Sequence, residues 1–176
     1  PGSNLSVSES DVLLAREEIL SSDIILMQLE IPLKTVIFTA EMGYKAGKKV
    51  ILNPAPASTL PDELFNRLYL ISPNETEAEI LTGIRVNNIE SAEKAAAKLL
   101  SKGTGIVIIT MGSLGALVCT KDENRLIRAE KVGVIDTTAA GDVFNGALAV
   151  ALSEGRDIFS AAEFAVRAAS LSVTRM

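Results

Sequence analysis

The segment Ala92-Glu93-Lys94-Ala95-Ala96-Ala97-Lys98-Leu99-Leu100-Ser101-Lys102-Gly103-Thr104-Gly105-Ile106-Val107-Ile108-Ile109 carries two periods in succession. Ala92, Ala95, Ala96, Leu99 and Leu100 recur at i, i+3, i+4, i+7 and i+8, the stripe of a helix lying on a sheet. Their small size lets that helix come close. Ile106 to Ile109 then run apolar without alternation, which marks a strand covered on both faces, as in a parallel sheet. Runs of the same kind occur at Ile24-Ile25-Leu26-Met27, Val50-Ile51-Leu52 and Leu68-Tyr69-Leu70-Ile71, with helical patterns between them. Strand followed by helix, repeated, predicts right-handed βαβ layering. The expected fold is α/β: a doubly wound, mostly parallel sheet flanked by helices.

Working outward, Ser8 with Asp11 forms a capping pair that opens a first helix toward Ser21, and Pro32 suits the first turn of a second. After Gly112 the rhythm changes. Ala116 to Cys119, Leu126 to Ala129 and Val132 to Ile135 read as short strands. Lys121-Asp122-Glu123-Asn124 turns between the first two, which predicts an antiparallel edge. Phe144, Ala147, Leu148, Ala151 and Leu152 stripe a helix that Gly155 ends, and Ala162, Ala165, Val166, Ala169 and Val173 stripe the last one. No repeat, low-complexity tract or linker interrupts residues 1–176, so a single domain is expected.

Composition narrows the chemistry. Of 176 residues, 48% are apolar and 22% charged, which excludes a disordered chain. The chain has 0 His. That removes Ser-His-Asp triads, zincin motifs and imidazole bases, so proton transfer falls to a carboxylate, lysine, tyrosine or the one thiol, Cys119. With 17 Lys+Arg against 22 Asp+Glu, there is no basic stripe for a nucleic acid. The longest apolar stretch, Ala147 to Leu152, is far short of the ~20 residues of a membrane helix. No basic-then-apolar leader opens the sequence, and cysteine usage suits the cytoplasm. Beginning at Pro1 and ending after a helical pattern, the chain reads as part of something longer.

In open α/β sheets, ligands bind beyond the carboxyl ends of the strands. Neither G-x-x-x-x-G-K-[ST] nor G-x-G-x-x-G occurs. Asp136-Thr137-Thr138-Ala139-Ala140-Gly141-Asp142 leads from an apolar run into a helix. Small residues admit a ligand to the backbone there, the opening amides can hold a phosphate, and Asp142 beside them can accept a proton. The plainer alternative is a Thr137 or Thr138 cap with Asp142 complementing the helix dipole. Asn74-Glu75-Thr76-Glu77 follows Ile71-Ser72-Pro73. Its N-cap to N3 spacing makes a capping box, or else sets the Asn74 amide and the Glu77 carboxylate where a hydrated magnesium ion can sit. Thr110-Met111-Gly112-Ser113-Leu114-Gly115 is either a tight turn or a wall for a base and sugar. Glu30, after Met27-Gln28-Leu29, is a sugar ligand or a surface acid.

Taken together, these stretches resemble the ribokinase (pfkB) family of carbohydrate kinases. Asp136 to Gly146 carries the family's most specific motif. Asn74 to Glu79, Leu52-Asn53-Pro54-Ala55-Pro56-Ala57 and Met27-Gln28-Leu29-Glu30 narrow the resemblance to members acting on ribose, with other sugar or nucleoside kinases, or a non-catalytic nucleotide-binding module, as alternatives. It implies ATP-dependent phosphorylation of the 5-hydroxyl of D-ribose. Asp142 would be the base, and the amides of Ala140, Gly141 and Asp142 the anion hole. Asn74, Thr110, Gly112, Gly115 and Gly141 would line the nucleotide site. Glu77 would hold Mg2+ through water, Glu30 would bind the sugar, and Asp136 and Thr138 would help hold a monovalent cation, normally potassium. The resemblance further implies a homodimer for the whole protein. It also implies that the family's N-terminal strands, lid and cation-completing tail lie outside this chain, leaving the isolated chain with little or no activity.

Overall fold

The computed structural model describes residues 2–175; Pro1 and Met176 of the expected domain lie outside the described residues. Six strands form one sheet in sequential order: β1 (Ile24–Met27), β2 (Lys49–Leu52), β3 (Leu70–Ile71), β4 (Ile106–Thr110), β5 (Ala116–Cys119) and β6 (Asn124–Ile127). β1 to β4 are parallel, in register Met27 to Leu52 to Ile71 to Val107. β5 and β6 turn antiparallel onto that edge, pairing Ile108 with Val118 and Val118 with Arg125.

The unalternating apolar runs follow from a sheet buried on both sides. Ile25, Met27, Val50, Leu52, Ile71, Val107 and Ile109 face one core, with α3 (Leu33–Lys45), α4 (Asp62–Phe65), α5 (Glu75–Thr82) and α6 (Ile89–Ser101) over it. Ile51, Leu70, Ile106, Ile108, Ala116 and Val118 face a second core, under α7 (Ala140–Ser153) and α8 (Ile158–Ser172). Each fully buried Leu or Ile contributes roughly 1.5–3 kcal/mol of transfer free energy, so side chains from the two faces jointly anchor each strand. Ala92, Ala95, Ala96 and Leu99 of α6 are completely buried, as their spacing predicts. Gly43 lets α3 settle onto β1 and β2: a Cβ there would meet Ile25 Cδ1 at 2.6 Å and Val50 Cγ2 at 2.9 Å.

The first helix forms in two pieces, α1 (Glu9–Leu14) and α2 (Arg16–Ser21), broken at Ala15. The expected capping box opens α1, with Ser8 and Asp11 bonded reciprocally. Pro32 takes the N-cap position of α3 rather than its first turn. β3 is shorter than its apolar run, and β6 starts earlier than expected because Asn124 already pairs with Cys119. The clearest miss is Val132 to Ile135. These residues form no strand, and Val134 and Ile135 are each 61% exposed. Apolar β-branched residues favour a strand only where a neighbouring strand accepts their backbone bonds. Here Ile135 and Asp136 instead donate to the Val173 carbonyl at the end of α8.

Candidate active site

Parallel pairing gathers the ends of β1 to β4 on one side of the molecule, and Gln28, Asn53 and Ser72 directly follow β1, β2 and β3 there. The loops following β1 and β2 are joined there by Leu29 N–H donating to the Ala55 carbonyl at 2.8 Å. α7 starts at the same place. Its N-cap residue is Ala139, in the left-handed conformation at φ 60°, and no side chain caps the helix. Thr137 and Thr138 therefore do not cap it, contrary to that part of the plainer alternative, while Asp142 stands in the first turn. Asp136 shapes the approach instead: its carboxylate accepts the Thr138 N–H at 2.8 Å, and that bond holds its pKa below the ordinary carboxylate range.

The expected three-amide cradle contracts to two. The Ala140 amide donates to the Thr137 carbonyl at 3.2 Å, closing the turn into the helix. Among the described residues, the amides of Gly141 and Asp142 have no protein acceptor. Unpaired donors at the positive end of a helix dipole make an anion site.

Asp142 borders a cleft of about 280 Å3 lined by Leu26, Met27, Gln28, Asn53, Asp142 and Asn145. Gln28 Nε2 donates to Asp142 Oδ1 at 2.7 Å, across 114 positions of sequence. Asn145, one turn into α7 and buried, donates to the Gly141 carbonyl at 2.9 Å and accepts from Ser72 Oγ. Gln28, Asn53, Ser72 and Asn145 received no role from the sequence. The available signal was their position, since the first three are the polar residues that end apolar strand runs.

Asn74 and Glu77 do form a capping box, with both reciprocal bonds at 2.9 Å. That does not exclude a ligand role. Glu77 is only 7% exposed, and burial pushes its carboxyl upward against the opposing Asn74 N–H bond. Its Oε2 serves the cap, while Oε1 has no hydrogen-bond partner among the described residues. Among the described residues there is no cluster of three or more metal-ligating side chains. A single carboxylate suits a hydrated magnesium ion carried on phosphates, the way Mg2+ is commonly held. Asn74 also bridges Thr110, whose N–H donates to the Pro73 carbonyl, so two expected nucleotide residues lie together. Gly112 and Gly115 bound the 3-10 turn after β4, where Met111 N–H donates to the Gly115 carbonyl at 2.8 Å.

Glu30 is exposed, accepts a 3.3 Å bond from Asn4 Nδ2, and is not in the cleft lining. Asp136 and Thr138 are joined by the Thr138 N–H bond to the Asp136 carboxylate, on an exposed loop. A second hollow of about 400 Å3, between α6 and the β5–β6 hairpin, lies at the opposite sheet edge from Asp142 and shares none of these residues. No helix among the described residues is long and apolar enough to cross a membrane.

The sequence pattern of the pfkB carbohydrate kinase family matches residues 3–176. A ribokinase of Haemophilus influenzae is 47% identical over 99% of this chain and 57% of its own length. A deoxyribokinase of Salmonella typhi is 39% identical over 98% of this chain and 57% of its own. Among solved structures, ribokinase from Thermotoga maritima superposes with a TM-score of 0.88 at 40% identity, covering 98% of this chain and 57% of that one. Arabidopsis thaliana ribokinase, solved with ribose and ATP, superposes at 0.87 with 35% identity, over 96% and 54%. The chain thus spans somewhat more than half the length of these relatives. An uncapped helix start beside a cleft-facing aspartate, the matching family pattern and the shared fold together establish that the chain belongs to the pfkB family of carbohydrate kinases.

Proposed function

We propose that the protein containing this chain is a ribokinase, transferring the γ-phosphoryl of ATP to the 5-hydroxyl of D-ribose. The observation that carries the reading is the start of α7, where the unpaired amides of Gly141 and Asp142 open the helix and Asp142 lines the cleft. Phosphoryl transfer asks mainly for alignment and for stabilisation of charge on the phosphoryl oxygens, so a weak carboxylate base suffices and no histidine is needed. Gly141 and Asp142 N–H receive the oxygens of the transferring group. Asp142 takes the proton of the incoming alcohol, and Ala140 contributes by closing the turn that aims those amides.

Asn74, Thr110, Gly112 and Gly115 border the nucleotide. Glu77 orients water on Mg2+, which supplies charge neutralisation for the phosphates. Asp136 and Thr138 contribute to a monovalent cation site, with potassium as its ion, and Glu30 contacts the sugar. The full-length protein works in the cytoplasm as a homodimer. Because this chain carries one expected sugar contact, the isolated chain has little or no kinase activity, and robust ribose-dependent ADP release from it would refute that.

The test is Asp142→Asn in the full-length protein. A positioned general base is worth roughly 10²- to 10⁴-fold. Turnover should fall by that order while ATP affinity stays within about twofold, whereas a non-catalytic nucleotide-binding module would be unaffected. The 39% identity to a deoxyribokinase favours 2-deoxyribose as a second acceptor. Comparing kcat/KM for ribose and 2-deoxyribose decides between them.

A further inference from the structure

The Asp142 carboxylate is not held by its own helix. Among the described residues, its one side-chain hydrogen bond comes from Gln28, at the carboxyl end of β1, through Nε2 to Oδ1 at 2.7 Å. A carboxylate on an exposed first turn rotates freely about χ1 and χ2 unless something fixes it. The amide of Gln28 occupies one oxygen and leaves Oδ2 without a hydrogen-bond partner among the described residues, in a residue that lines the cleft. Gln28 is itself fixed: β1 pairs with β2 up to Met27 and Leu52, and the following Leu29 is tied to Ala55. The donor therefore rides on the sheet while the acceptor rides on α7.

We infer that Gln28 is a positioning residue for phosphoryl transfer: it holds the Asp142 carboxylate in the orientation that receives the proton of the acceptor hydroxyl. This rests on the kinase reading above. Gln28 moves no proton; it narrows the orientations available to the group that does. Misplacing a reacting group by about 1 Å can cost on the order of 10²-fold in rate.

The experiment is a double-mutant cycle in the full-length protein, with kcat, KM for ATP and KM for ribose measured for wild type, Q28M, D142N and Q28M/D142N. Q28M keeps the side-chain length and removes the donor; Q28E, which sets a carboxylate against Asp142, is the second variant should Q28M fold poorly. The expected result is a loss of roughly 10- to 100-fold in kcat for either Gln28 variant, with both KM values within about twofold. In the D142N background, removing Gln28 should change single-turnover rate by less than about twofold, because its effect runs through the carboxylate. Retention of wild-type kcat by Q28M and Q28E overturns the inference. So does an equal further loss in the D142N background, which marks a merely structural role. A wild-type protein that phosphorylates no sugar overturns the kinase reading and this inference with it; an active wild type with insensitive Gln28 variants overturns the inference alone.

Discussion

Ser72 Oγ donates a 2.6 Å hydrogen bond to Asn145 Oδ1, joining the end of β3 to the second turn of α7 across 73 positions of sequence. Both side chains are buried. Asn145 Nδ2 passes the connection on to the Gly141 carbonyl at 2.9 Å, so the turn presenting the unpaired amides is braced against the sheet.

Truncating that brace should cost stability. In N145A, the Ser72 hydroxyl loses its acceptor on Asn145 Oδ1 and the Gly141 carbonyl loses the side-chain bond it receives beside its helix bond, a loss of roughly 1–3 kcal/mol. For a domain of this size each kcal/mol lowers Tm by about 2–4 °C. Calorimetry on the full-length protein should therefore show N145A melting several degrees below wild type. S72A, which removes only the donor at the far end, should lose less. Equal melting temperatures for N145A and wild type would show that the contact does not brace the turn.

Ala139 makes the neighbouring prediction. It is the one non-glycine residue with positive φ among the described residues, at the position immediately before α7. Left-handed backbone costs an ordinary residue about 1–2 kcal/mol, and the cost is greater for a β-branched one. A139V should lower urea-denaturation stability by at least about 1 kcal/mol. In A139G the relief of strain is offset by the greater entropy of an unfolded glycine, so stability should stay within about 1 kcal/mol of wild type. A neutral A139V would mean the loop adopts another conformation in solution.

These two sites mark where sequence reading stops. The parallel sheet was legible because burial on both faces leaves unbroken apolar runs, and α6 was legible because its stripe is complete. The capping boxes at Ser8 and Asn74 were legible because both partners lie within one turn. Asp142 was legible through its local motif. Gln28 with Asp142, and Ser72 with Asn145, pair residues brought together only by the finished fold, and no local period encodes such a meeting. Val132 to Ile135 misled for the converse reason: the composition favours a strand, but a strand also needs a partner. Ala140 was credited with a free amide because a turn closing on Thr137 leaves no mark in residue types.

Gly112 and Gly115, both expected at the nucleotide, should separate sharply under substitution. A Cβ on Gly115 would stand 2.0 Å from the Ile127 carbonyl oxygen and 2.7 Å from Ala129 N, at a φ of 105°. These are backbone atoms of the one segment 127–129, which cannot yield as a side-chain tip would, so G115A should express poorly or melt far below wild type. Gly112, at φ 51°, has open space around its Cβ direction. G112A should therefore pay only the left-handed penalty of about 1–2 kcal/mol and remain folded. ATP titration of folded G112A then reads the nucleotide wall directly: weakened binding supports the assignment, and unchanged affinity removes Gly112 from it.

Glu77 sets stability against function. Burial raises its pKa in the folded protein, so folding favours the protonated form. Below the ordinary carboxylate pKa both folded and unfolded chains are protonated, and no penalty arises. As pH rises, the unfolded chain releases its proton first, and the folded chain carries a growing cost until its own raised pKa is passed. E77Q lacks that titration, yet its amide oxygen can still accept the Asn74 N–H that closes the capping box. The Tm of E77Q relative to wild type should therefore increase as the pH rises above the ordinary carboxylate pKa and level off once the raised pKa is passed. Other titrating groups cancel in the comparison. Magnesium-dependent ATP turnover should fall in the same variant, because a neutral amide orients a hydrated divalent cation poorly. A relative Tm that declines over that range would mean the folded protein favours ionised Glu77, and the cap rather than burial would then govern its charge.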